Sequence, residues 1–202
     1  FYTLTASGIK DCIGNFGTTT GSFFISDSAN AEDVVINEIM ANPAHNGNSP
    51  NPIILPNLEY IELYNRSKIT YDLAGWKIAT SSTKTLGSYI LNPNSYVLIC
   101  KLDSLASYAT SNKLGVSSVP SLGNGSDEIS LHDPFGILVD SVAYTEEWYQ
   151  NPSKDGGGWS LELINPNDPC ALLGNWIASN DSSGGTPGRV NSVYNPAPDV
   201  TP

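Results

Sequence analysis

The sequence predicts an all-β protein, a sandwich or barrel of short strands, and three observations predict it. Apolar and polar residues alternate in short runs such as VVINEIM (34 to 40), EYIELYN (59 to 65) and ILVDSVAY (137 to 144), the period of a strand with one face buried. Segments rich in Gly, Pro, Ser, Asn and Asp separate those runs, and these residues favour turns. Ten Tyr and four Trp supply bulky side chains suited to a pleated surface, while charged residues make up only 14% of the chain.

Along the chain, FYTLTA (1 to 6) and SFFIS (22 to 26) predict a hairpin with a long connection, GIKDCIGNFGTTTG. A lone hairpin is marginal in water, so this one needs a sheet to join, and residues 27 to 32 read as a linker. Further strands are predicted at 34 to 40, 59 to 65, GWKIAT (75 to 80), SYVLICK (95 to 101), DEISLHD (127 to 133), 137 to 144 and WSLELIN (159 to 165). Asp133-Pro134-Phe135-Gly136 places Pro and Gly where a type I turn wants them. LDSLASYAT (102 to 110) is the one helical candidate, with Leu102, Leu105 and Ala106 or Ala109 at helical spacing. The Pro-rich end from 193 to 202 reads as an extended spacer.

Composition excludes several classes. Nine Lys and Arg against twenty Asp and Glu give a net charge of -11, which repels phosphate backbones and anionic lipid at long range, so no nucleic-acid partner is expected. No apolar run reaches the roughly 18 residues of a membrane span. The chain opens at Phe1 without an initiator Met or signal pattern and reads as an excised piece of a longer protein. Three Cys allow at most one internal disulfide.

The main body, residues 33 to 192, resembles the bacterial lamin-tail domain. The residues that carry the resemblance are Val35-Ile36-Asn37-Glu38-Ile39, Glu59 to Asn65, Asp72-Leu73-Ala74-Gly75-Trp76-Lys77-Ile78, Leu122 to Leu131, Val139-Asp140-Ser141-Val142 and the closing Gly185-Thr186-Pro187-Gly188-Arg189-Val190-Asn191-Ser192. It implies an immunoglobulin-like β-sandwich with an N-terminal hairpin extension. Residues 1 to 26 are similar to the last hairpin of bacterial Ig-like domains in surface-layer and adhesive proteins. Together these resemblances imply a secreted or cell-surface bacterial protein in which the domain sits beside other modules of the same chain, sometimes hydrolases. The family supplies no catalytic residues.

Glu38 is the most informative polar residue. Alternation puts it with Val34, Ile36 and Met40, and Asn37 with Val35 and Ile39, so a polar side chain enters an apolar face or a bulge intervenes. A buried Glu38 would be a metal ligand or an acceptor for backbone N–H groups, and the structural role is preferred for both Asn37 and Glu38. Glu59 and Glu62 are three apart on a strand and face opposite ways, which rules out a glycosidase pair. Glu62 shares its face with Tyr60 and Tyr64 and is expected to be exposed.

The 146 to 150 stretch, with Trp148 and Tyr149, lies in a loop and is expected to offer an exposed aromatic surface, joined by Glu62 and Tyr64 as candidate ligand contacts. Trp76 and Trp159 read as core. The loops Asp11 to Asn15 and Gly123 to Glu128 offer calcium-type oxygens, but turn formation explains them as well, and no cofactor is expected beyond that one candidate ion. His45 and His132 form no triad or zinc site. Cys12 and Cys170, both in polar loops, are the expected bridge, tying the hairpin to the body, with Cys100 a buried thiol.

These observations favour a non-catalytic interaction or spacer module meeting a protein or glycan at the cell surface. A carbohydrate-binding accessory module is the second reading, and a metal-dependent hydrolase using Glu38 the third.

Overall fold

The computed structural model describes residues 2–23, 28–44, 55–168 and 174–196. Its strands are β1 (Tyr2–Lys10), β2 (Phe16–Phe23), β3 (Val34–Met40), β4 (Tyr60–Asn65), β5 (Tyr71–Asp72), β6 (Lys77–Ala79), β7 (Thr83–Thr85), β8 (Ile90–Leu91), β9 (Tyr96–Lys101), β10 (Lys113–Val116), β11 (Ser126–His132), β12 (Leu138–Thr145), β13 (Leu161–Leu163) and β14 (Trp176–Ala178). Every strand expected from alternation in the main body is present, within one to two residues at most ends.

Two sheets face each other. One has the order β10-β9-β4-β3-β13-β14, the other β12-β11-β6-β7, and β5 pairs with β8 alongside them. Ile36, Ile39, Ile61, Leu63, Ile99 and Leu161 from the first sheet share one apolar core with Ile78, Ile129, Leu131, Val139 and Val142 from the second. Trp76 fills its centre, fully buried and edge-on to Tyr71 with ring centres 5.5 Å apart. Trp159 is core as expected, at 4% exposure.

Asp140 ties the sheets together across a defect in β3. A bulge between Ile36 and Glu38 interrupts pairing with β4, and Asp140 Oδ2 takes up the Ile36 N–H at 2.7 Å. Burial raises the Asp140 carboxyl to about 6, against the N–H donors of Ile36 and Ser141, which lower it.

The turn between β11 and β12 is organised by Asp133, fully buried. Its Oδ1 accepts the N–H groups of Phe135 and Ile137, both at 2.9 Å, and its Oδ2 accepts that of Ala29 at 3.3 Å. Its carbonyl accepts the Gly136 N–H at 3.1 Å, with Gly136 at φ 86°, where a side chain would be strained.

Several expectations are corrected. The hairpin strands run to Lys10 and from Phe16, well into the stretch expected as a loop. Asp11 shortens the connection, because its carboxylate accepts the N–H groups of Ile13 and Asn15 and the Asn15 amide, closing a five-residue turn. The expected helix is a 3₁₀ turn, Leu102–Ser107. It belongs to the crossover that β10 needs to lie parallel to β9, and Lys113 Nζ ends it by donating to the Leu105 and Tyr108 carbonyls at 2.7 and 2.6 Å.

Short strands β5, β7, β8, β10 and β14 escaped prediction because two to four residues show no period. Cys12 is an exposed free thiol and Cys100 a buried one. Cys170, the expected partner of Cys12, lies outside the described residues, as does His45.

Replacing Asp133 with Ala leaves three N–H groups without their acceptor and is expected to cost about 2–3 kcal/mol of stability in urea unfolding, since each buried orphan donor costs on the order of 1 kcal/mol or more.

Candidate functional site

The β3 bulge has a second consequence: it sets Glu38 on the face of the sheet that looks away from the main core. Register then aligns Glu38 with Glu62 of β4 on one side and with Glu162 of β13 on the other. Three glutamates stand in a row across three adjacent strands, which lie about 4.8 Å apart. All three are fully buried.

What buries them is the chain from 181 to 193, laid across the sheet as a strap. The strap presents donors to the row. Glu38 Oε1 accepts the Thr186 N–H at 2.7 Å, the Tyr60 hydroxyl at 2.6 Å and the Ser160 hydroxyl at 2.6 Å. Glu62 Oε2 accepts the Gly188 N–H in a short bond, and its Oε1 accepts Asn37 Nδ2 at 2.9 Å. Glu162 Oε1 faces the Thr186 hydroxyl at 2.9 Å, and its Oε2 accepts the Ser192 hydroxyl at 2.7 Å and the Val193 N–H at 3.2 Å.

Asn191 completes the closure. Its Nδ2 donates to the Asn37 and Leu163 carbonyls at 3.0 and 2.8 Å, and its Oδ1 accepts Asn37 Nδ2 at 2.8 Å. Gly185 is required by contact: a Cβ there would meet the Tyr60 hydroxyl, Glu38 Oε1 and the Ser160 hydroxyl, all within 3.0 Å. At the strap's outer edge Arg189 pairs with Asp181 at 2.5 Å. A second apolar cluster of Met40, Tyr60, Leu98, Cys100 and Tyr108 fills the same face beside the row.

Burial and the neighbouring Glu162 charge push the Glu38 carboxyl up to about 7, against the lowering effect of its hydrogen bonds. Burial and the Glu38 charge hold Glu62 well above the usual carboxylate range. Chemically, the row is an enclosed hydrogen-bond acceptor for a chain segment. Its oxygens are hydrogen-bonded within the protein, and among the described residues no three His, Cys, Asp or Glu side chains converge in a metal-binding arrangement.

Asn37 and Glu38 are both buried and hydrogen-bonded, and of the two outcomes that alternation left open, a polar side chain in an apolar face or a bulge, the bulge is present. Other expectations are corrected. Glu62 is buried, because its face is covered by a segment 126 residues further along. Trp148 and Tyr149 are buried, at 8% and 1% exposure. The 3₁₀ turn Glu146–Tyr149 folds them inward against β14, with Trp148 5.9 Å from Trp176 and Gln150 Nε2 donating to the Trp176 carbonyl at 2.8 Å.

Tyr64 is half-buried and stacks on Tyr96 at 4.6 Å, its hydroxyl donating to Asn94 Oδ1 at 3.2 Å. In the two loops offered for calcium, the acids serve local N–H groups. Asp127 accepts from Gly123 and Glu128 at 2.9 and 2.8 Å, as Asp11 does from Ile13 and Asn15. Glu162, Ser160 and Thr186 were missed. Their signal lay in the alternation of Leu161-Glu162-Leu163 and in the closing GTPG run, but nothing local connects the two.

The two facing sheets define an immunoglobulin-like β-sandwich. The lamin tail domain family matches residues 27–146, more than half of the 202-residue chain, and the chain belongs to that family. It is a family of immunoglobulin-like interaction modules, typically non-catalytic. No curated protein matches the chain. The matched stretch contains Glu38 and Glu62 but ends before Glu162 and the strap, which complete the same sheet and its cover.

Two outcomes follow. Gly185→Ala is expected to lower stability by about 2–3 kcal/mol through overpacking, whereas Gly174→Ala, where a Cβ meets nothing within 4 Å, stays within about 0.5 kcal/mol in the same urea series. Glu38 binds its proton more tightly folded, at about 7, than at its ordinary 4.5, and Asp140 likewise at about 6 against 3.8. Between those values the folded chain carries more protons than the unfolded one, so stability falls as pH rises from about 4 to about 7. Urea midpoints across that range check this, with a flatter profile in Glu38→Gln.

Proposed function

We propose that this chain is a non-catalytic interaction or spacer module of a multidomain bacterial protein that is secreted or displayed at the cell surface. The observation that carries the reading is the enclosure of the carboxylate row. Among the described residues Glu38 and Glu62, both raised by burial, sit under the strap hydrogen-bonded to internal partners, where a substrate finds neither access nor a free base.

The hairpin supports the multidomain part. Among the described strands β1 and β2 pair only with each other, and Leu4, Ile9, Ile13 and Phe16 are exposed, from 49% to 82%. A two-stranded ribbon with that much apolar surface suits one edge of a neighbouring Ig-like domain. No helix among the described residues is long and apolar enough to cross a membrane.

Glycan binding is the second reading, and the surface that favours it is the stacked pair Tyr64 and Tyr96, close to Tyr194, which is 43% exposed. Flat aromatic faces beside amide and hydroxyl groups suit sugar rings.

The purified chain is expected to show no turnover above the buffer blank on ester, glycoside, phosphate and peptide substrates. Turnover that Glu38→Gln and Glu162→Gln abolish would overturn the reading. For glycans, amide chemical-shift titration with soluble polysaccharides separates the two readings: shifts confined to the Tyr64 and Tyr96 surface, and lost in Tyr64→Ala with Tyr96→Ala, establish the second.

A further inference from the structure

The hydrogen-bond geometry of the carboxylate row determines more than its enclosure, because it also locates a proton. Glu38 Oε1 has three donors, but among the described residues its Oε2 faces only the Thr186 hydroxyl, at 3.4 Å. That hydroxyl has one hydrogen, and the nearer acceptor is Glu162 Oε1 at 2.9 Å. With the hydrogen directed to Glu162, a lone pair of Thr186 Oγ1 is turned toward Glu38 Oε2, and two acceptors face each other unless Oε2 itself is protonated.

We propose that Glu38 is held as a neutral carboxylic acid that donates from Oε2 to Thr186 Oγ1, which donates onward to Glu162, and that loss of this proton unfastens the strap from the sheet, making closure of the domain sensitive to pH.

Charge around the row supports this. Three carboxylates on adjacent strands repel one another if all are ionised, and the nearby cations are otherwise engaged. Arg189 pairs with Asp181. Lys154 donates to the Ser179 carbonyl at 2.5 Å and to Asn180 at 3.1 Å. Lys113 donates to the carbonyls of Leu105 and Tyr108. Among the described residues the other ionisable groups on this face are Tyr60, which donates to Glu38, Tyr108 and Cys100, both buried, and, beside Glu62, the stacked Tyr64 and Tyr96 with Tyr194 close to them.

Burial raises both Glu38 and Glu62, so titration belongs to the pair. Geometry assigns the seat: both Glu62 oxygens take nitrogen donors, Asn37 Nδ2 and the Gly188 N–H, whereas Glu38 Oε2 has an oxygen to donate to. Ionisation would turn that oxygen, buried, against a lone pair and add a charge beside Glu62 and Glu162. The contacts that then weaken are those of Thr186 and Gly188, the centre of the strap.

Infrared spectroscopy of the whole chain tests the seat. A protonated-carboxyl stretch is expected at pH 7 in the wild type and in Glu62→Gln, and is lost in Glu38→Gln. Absence of the band from the wild type, or its survival in Glu38→Gln with loss in Glu62→Gln, would overturn the assignment. Hydrogen exchange tests the unfastening. After correction for intrinsic rates, protection of the Thr186 and Gly188 amides is expected to fall about tenfold per pH unit as pH rises toward the titration midpoint, the slope for release of one proton on opening, and to level off above it. Equal protection at pH 6 and pH 9 would sink the idea. Both wild-type measurements stand even if Glu38→Gln fails to fold, and Thr186→Val, which removes the acceptor, is expected to flatten the exchange profile.

Discussion

Burying a carboxylate removes it from water at a cost of several kcal/mol unless hydrogen bonds replace the hydration. The six-stranded sheet does this three times in neighbouring positions, at Glu62, Glu38 and Glu162. The sheet therefore requires a cover made of donors, and a purely apolar layer on that face would leave three acceptors stranded. The strap meets the requirement with backbone N–H groups from Thr186, Gly188 and Val193 and hydroxyls from Thr186 and Ser192. Much of the domain's closure is thus a consequence of one electrostatic constraint.

The same constraint explains local features that otherwise look unrelated. The β3 bulge turns Glu38 to the strap side and leaves the Ile36 N–H for Asp140, so a single irregularity serves both the carboxylate row and the contact between sheets. Glycine stands at 185 because the strap passes directly over Glu38, Tyr60 and Ser160. Asn191 locks the far end by bonding the Asn37 and Leu163 carbonyls, which belong to two different strands. A GTPG run followed by Asn-Ser is the sequence such a strap needs: a close approach, a hydroxyl, and a terminal amide.

An interaction module needs a rigid body more than a reactive cleft, and this arrangement supplies one. The carboxylates hold chain instead of substrate, and the aromatic side chains of the 146 to 149 turn are spent on packing against Trp176. Aromatic and apolar side chains that stay half-buried or exposed lie elsewhere, on the Tyr64 and Tyr96 pair and on the hairpin.

The strands, the turn at Asp133 and the break in alternation at Asn37 and Glu38 were legible in the sequence, because each depends on residues within a few positions of one another. Alternation also assigned Glu62 correctly to the face it shares with Tyr60. It could not say that this face is covered, since the cover arrives from Gly188, 126 residues away. The burial of Trp148 and Tyr149 was hidden for the same reason, their partner Trp176 lying on a strand too short to show a period. Sequence by itself determined which side chains share a face and where the backbone must turn. Tertiary structure alone decided what lies against each face, because burial depends on which distant segments the register brings together.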